Sequence, residues 1–155
     1  MTYVMSKSRG TWQKGLNIPR VIKDTMKTNA FEVAAKYVYP SLRRRLVEIL
    51  YREYGMTQVG IAEILHITQS AVSRYLRMNR GALIDVEKFE DIDGELRQSA
   101  EWIINEKPDE YKIHAEIIRI ALEMLGKGYL CSLHAKIDPE IDPGSCNVCL
   151  ELFGE

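Results

Sequence analysis

The chain has 155 residues, 46% of them hydrophobic and 28% charged, which is room for one or two small domains and excludes wholesale disorder. It has no apolar run of about 18 residues, and no apolar signal core follows the basic N-terminus. Neither a transmembrane helix nor a secretory leader is therefore expected, and the expected compartment is the cytoplasm. The net charge of −1 conceals a division: residues 1–80 hold 14 Lys and Arg against 5 Asp and Glu, net +9, while residues 81–155 hold 7 against 17, net −10. A basic half suits a polyanion and an acidic half stays off phosphate, so two regions with separate tasks are expected.

Residues 1–29 read as a basic arm with six Lys and Arg and one Asp, and a short structured stretch is expected near Arg20–Thr28. From Phe31 the pattern turns helical. Pro40 and Ser41 offer a start, and Leu42, Leu46, Ile49 and Leu50 recur at three- and four-residue spacing up to Gly55. Thr57 is placed to cap a helix carrying Ile61, Ala62, Ile64 and Leu65. After a break at His66–Ile67, Thr68 is placed to cap another carrying Ala71, Val72, Tyr75 and Leu76, which Asn79–Arg80–Gly81 ends.

Val86–Glu106 predicts an acidic amphipathic helix with Phe89, Ile92, Leu96, Ala100 and Ile103 on one face. Asp85, Glu87, Glu90, Asp91, Asp93 and Glu95 read as its solvated side and lead-in. Pro108 fits the first turn of a further helix striped by Ile113, Ile117, Ile120, Ala121 and Met124. Ile118, Leu122 and Leu125 widen that stripe beyond what one intramolecular face needs, which predicts a two-fold homodimer. The tail after Gly128 holds Pro139, Pro143, Gly144 and all three cysteines, and reads as loop-rich. No strand pattern is visible, so the fold class is all-α. The expected divisions are an arm (1–29), a DNA-reading unit (30–84), a dimerising helical region (85–128) and a metal-binding tail (129–155).

Gln58–Arg77 is the strongest motif. A bihelical reading unit needs a small residue where its helices touch, a shared apolar face and a short turn. Ala62 supplies the first, Ile61, Leu65, Ile67, Val72 and Tyr75 the second, and His66–Ile67–Thr68 the third. The turn position of His66 is usually glycine, though histidine is among the residues enriched at positive φ. The second helix then offers Thr68, Gln69, Ser70, Ser73, Arg74 and Arg77 near its start, the end that enters a major groove of double-stranded DNA. Gln pairs bidentately with adenine, Arg with guanine, and Ser with base edges or phosphate. In the triple cluster Arg43–Arg44–Arg45, one residue is expected to bury its stem while the others, Arg43 and Arg44 above all, meet phosphate.

Three cysteines cannot all pair within one chain, and in a reducing compartment they read as thiols or metal ligands. Cys131 and His134, then Cys146 and Cys149, form C-x2-H and C-x2-C pairs eleven residues apart. That spacing and donor set fit tetrahedral zinc. An iron–sulfur cluster and a metal-free redox pair at Cys146–Cys149 are the alternatives.

The segment FEVAAKYVYPSLRRRLVEILYREYGMTQVGIAEILHITQSAVSRYLRMNRG, followed by LCSLHAKIDPEIDPGSCNVCL, resembles a family of archaeal transcriptional regulators. That family has a Cro/repressor-type helix-turn-helix and a C-terminal Cys/His segment. The resemblance spans roughly residues 30–151. It implies a dimeric, sequence-specific DNA-binding regulator and carries Gln69, Ser70, Ser73 and Arg74 over as groove contacts. Two other classes compete. A recombinase or nuclease is disfavoured because no Ser/His/Asp constellation, Walker loop or carboxylate cluster with helical metal spacing is present, so no enzyme is expected. A module docking on the transcription machinery is the remaining alternative. The sequence does not reveal the operator or whether a small-molecule effector exists.

Overall fold

The computed structural model describes residues 27–78, 81 and 83–155. Most of the basic arm, including the stretch expected near Arg20, and the Asn79–Arg80 stop lie outside the described residues. The described chain is helical throughout and contains no strand.

The first helix begins ten residues earlier than Pro40 suggested. Asn29 caps α1 (Ala30–Val33) with a capping box: its side chain accepts from the Glu32 N–H at 3.0 Å, and Glu32 returns to the Asn29 N–H at 2.7 Å. A π turn, Ala34–Val38, then joins α1 to α2 (Tyr39–Arg52). Proline has no N–H to donate and its ring crowds the carbonyl one turn back, so an interior Pro40 breaks regular α geometry. The wider i→i+5 spacing, with the Tyr39 N–H donating to the Ala34 carbonyl, lets the helix run through it.

The α2 helix is the hub. Leu42, Leu46, Val47, Ile49 and Leu50 are fully buried, because α2 packs on the two helices that follow it on one side and on the acidic helices on the other. The helices α3 (Gln58–Leu65) and α4 (Gln69–Leu76) follow, each started by the threonine expected. A 3-10 turn at Val86–Lys88 leads to α5 (Glu90–Glu106), which buries Ile92, Leu96, Ala100 and Ile103. Pro108 lies just ahead of α6 (Glu110–Gly126) rather than in its first turn. Asp109 is the cap, accepting from the Lys112 N–H at 3.0 Å. One apolar core runs unbroken from Val33 to Leu130, so the basic and acidic parts share it.

An ion cluster pins that junction. The Arg45 side chain, 7% exposed, donates to Asp93 of α5 at 2.5 and 3.2 Å and reaches Glu87 at 2.7 Å and Glu48 at 3.7 Å. Arg45 is thus the buried member of the arginine triplet. Asp93, expected on a solvated face, is instead 13% exposed and bound.

The tail departs furthest from expectation. It contains two short helices, α7 (Cys131–Ile137) and α8 (Val148–Phe153), where loops were expected. The α8 helix lies along α6 so closely that a Cβ on Gly126 would stand 2.3 Å from the Phe153 carbonyl oxygen. The inner stripe of α6 is covered within the chain, with Ile113, Ile117, Ile120, Ala121, Met124 and Leu125 all buried. Ile118, one of the residues that widen it, stays exposed.

Candidate nucleic-acid interface and cysteine cavity

The turn between α3 and α4 closes by backbone geometry. His66 sits left-handed at φ 55, the Ile67 N–H donates to the Ala62 carbonyl at 3.0 Å, and the His66 N–H donates to Glu63 at 3.3 Å. These are the paired bonds that end a helix in a Schellman turn, and they send the chain sharply into α4. A non-glycine residue there carries strain of about 1 kcal/mol. The His66 ring is also used: Nε2 lies 3.2 Å from the Pro108 carbonyl, which ties the turn to the approach to α6.

Thr68 then caps α4, its Oγ1 accepting from the Ala71 N–H at 3.1 Å. Val72 and Tyr75 face the core against Ile61, Ala62 and Leu65. With those positions inward, Gln69, Ser70, Arg74 and Arg77 are exposed and Ser73 is half-buried, all on the opposite side. The Arg74 guanidinium donates to Ser70 Oγ at 3.1 Å, so it leans along the helix toward its start. The sequence-derived residues of α4 thus share one outward face.

The arginine triplet divides differently. Arg43 lies over the Tyr39 ring at 5.3 Å and is half-exposed. His114 also packs here: its ring stacks on Tyr39 at 5.7 Å and its Nδ1 meets the Tyr39 hydroxyl. Burial raises the Tyr39 pKa above its ordinary value, against the opposing pull of Arg43. Arg44, 14% exposed, is bound to Glu48 at 2.8 Å and turned from solvent.

Residues 41–78 match the family model for winged helix-turn-helix DNA-binding domains. This segment has the helix-turn-helix geometry and is similar to DNA-binding domains of that kind. The sequence resembled a Cro/repressor type, whereas the match names the winged class. No strand occurs among the described residues to form a wing. Comparison with curated proteins and with solved structures returned no match.

The helix-turn-helix lies in the basic half, but the tail carries a second cluster. Cys131 and His134 share one face of α7, and Cys149 lies in the first turn of α8. Asp142 shapes the return loop: its side chain accepts from the Gly144 N–H at 3.0 Å and the Ser145 hydroxyl at 2.6 Å. All four sequence-derived donors, Cys131, His134, Cys146 and Cys149, line one small cavity with about 20 Å³ of free room, beside Val33, Leu125 and Ile141. Burial, and behind it the neighbouring Cys131 and Cys146, push the Cys149 thiol up. A raised thiol is the opposite of an activated nucleophile. Among the described residues no three His, Cys, Asp or Glu side chains are gathered tightly enough to hold an ion as they stand. The donors share a cavity without being closed on one point. In donor chemistry they fit zinc, and the room is that of one ion or water.

Sequence reasoning missed Asp138, Thr28 and Asn29. The Asn29-x-x-Glu32 capping box was a readable signal; the Asp138 contacts join residues 110 positions apart and had none.

Proposed function

We propose that the protein is a sequence-specific transcription regulator acting in the cytoplasm, which reads double-stranded DNA through Gln69, Ser70, Ser73, Arg74 and Arg77. The observation that carries this reading is the outward face of α4, polar and basic along its whole length while the inward face is core. Thr68 positions that helix, and Arg43 is the phosphate contact from α2, since Arg44 is spent on Glu48. The acidic helices keep their charge away from the backbone phosphates and fix the reading unit through Arg45.

Two copies would place two recognition helices about one DNA turn apart, roughly 10 base pairs. With α8 over α6, the contact between copies falls on the outward remainder of that helix, where Ile118 and Tyr111 are exposed. One zinc ion per chain, held by Cys131, His134, Cys146 and Cys149, would cross-link a tail whose own helices have seven and six residues. Such helices do not persist alone in water. A closed four-ligand site stabilises and leaves no position for a substrate.

The test is a binding assay with a selected operator in excess competitor DNA. Retained binding supports the reading, and equal loss to competitor would favour a module that docks on the transcription machinery. Sedimentation at micromolar concentration tests the dimer; a monomer with a non-palindromic site would remove it. Elemental analysis beside a visible spectrum tests the ion, and iron with a brown chromophore would mark an iron–sulfur sensor instead.

A further inference from the structure

The cysteine cavity is built against the root of the N-terminal arm. The His134 Nε2 lies 2.7 Å from the Thr28 carbonyl and 3.2 Å from Thr28 Oγ1. A carbonyl only accepts, so Nε2 carries the proton. One turn later Asp138, 1% exposed, accepts from the Thr28 N–H at 2.9 Å and from the Lys27 N–H. The N–H groups of residues 27 and 28 and the Thr28 carbonyl are thus paired by side chains of α7 and its cap. Asn29, the cap of α1, follows at once, and Val33 of α1 lines the cavity itself.

We propose that the cavity and the root of the arm form one cooperative unit, so that a divalent ion at Cys131, His134, Cys146 and Cys149 seats residues 27–29 on the tail. This rests on the reading that the tail binds a metal ion. In a neutral imidazole whose Nε2 donates, Nδ1 is the atom with a lone pair, and it has no hydrogen-bond partner among the described residues. A backbone carbonyl that takes the other ring N–H is the usual support of a metal-bound histidine, fixing tautomer and ring orientation. Here that carbonyl belongs to Thr28, so ordering the ring for an ion and ordering residues 27–28 are the same event. By linkage, whatever frees Thr28 weakens the ion, and the ion holds Thr28 by the same factor. The five Lys and Arg of residues 1–26 follow from this anchored point.

The experiment compares full-length protein loaded with one equivalent of zinc and the same protein stripped by chelator under reducing, anaerobic conditions. Hydrogen exchange reads the Lys27 and Thr28 amides, with Leu46–Ile49 of α2 as the internal reference. Stripping should speed exchange at Lys27 and Thr28 by about tenfold or more and leave α2 unchanged. Asp138→Ala touches no ligand, yet should lower zinc affinity about tenfold, the loss typical of an outer support. Asp138→Asn, which keeps an accepting oxygen, should recover part of it; if the alanine variant does not fold, the asparagine variant and the wild-type exchange decide. One zinc bound, with the visible bands of tetrahedral thiolate-bound cobalt on substitution but unchanged exchange at residues 27 and 28, would overturn the coupling and leave the metal reading standing. Failure to bind zinc or cobalt at all would overturn both.

Discussion

Arg45→Met removes the charge that joins the reading unit to the acidic helices while keeping much of the side chain's volume. In the wild type the guanidinium is 7% exposed and faces Asp93 at 13% and Glu48 at 6%. Breaking a buried pair from one side typically costs about 3–5 kcal/mol, because the remaining charge is left without its partner. Asp93 keeps Arg97 at 3.1 Å and Glu48 keeps Arg44 at 2.8 Å, so the lower end applies, about 3 kcal/mol. For a domain of this size that is a fall in Tm of roughly 6–12 °C at pH 7. The pH dependence adds a second signature. Burial disfavours the Asp93 ion, but Arg45 and Arg97 outweigh it and hold its pKa below the ordinary value. The stability from such a depressed carboxylate is complete above its ordinary pKa of 3.8 and is lost as pH falls through the lower folded value. The variant has already lost most of that contribution, so the two melting curves should stay apart at pH 4 and above and converge only as pH falls below about 4. Thermal unfolding by circular dichroism from pH 7 through pH 4 to about pH 2.5 measures this. An unchanged Tm at pH 7, or a gap of constant size across the series, would refute the buried pair as the joint.

Three further outcomes follow from contacts elsewhere. Gly126→Ala should lift α8 from α6, because its Cβ would lie 2.3 Å from the Phe153 carbonyl oxygen; faster reaction of Cys149 with a thiol reagent, without loss of helix, is the expected readout. Gly81→Ala should destabilise the fold by about 2–3 kcal/mol in urea titration, since the residue sits at φ +68 with its Cβ position 2.3 Å from the Pro40 carbonyl. Asp91, hydrogen-bonded by Lys127 at 2.7 Å and by Tyr129 at 2.8 Å, has its pKa lowered from 3.8 to about 2, chiefly by Lys127. Its contribution is complete above about pH 4 and disappears toward pH 2, so Asp91→Asn should flatten acid unfolding in that window.

The sequence disclosed what local chemistry decides. Thr57 and Thr68 cap where expected, the polar face of α4 faces out, and His66 takes the left-handed position that its place in the turn required. What escaped it depends on contacts between distant segments. Pro40 read as a helix start because a π turn has no pattern of its own. The three arginines at 43–45 look alike in sequence, and only Asp93 and Glu87 in space select Arg45 for burial. Ile118 and Leu125 widen the stripe of α6 alike in sequence, and periodicity does not say which the chain itself covers; Leu125 is buried and Ile118 stays exposed. The four tail donors were legible by spacing and do line one cavity, but their attachment to Thr28 crosses more than 100 positions.

The most direct test of the central claim is selection of bound sequences from a random double-stranded pool, run in parallel on the wild type, Gln69→Ala and Arg74→Ala. If α4 reads bases, the wild type enriches a defined motif. Each variant should then relax one or two positions of it, by about 1–3 kcal/mol per contact, with overall fold and salt dependence nearly intact. No enriched motif for the wild type, or an identical motif and affinity for Arg74→Ala, would contradict the assignment of α4 as the recognition helix.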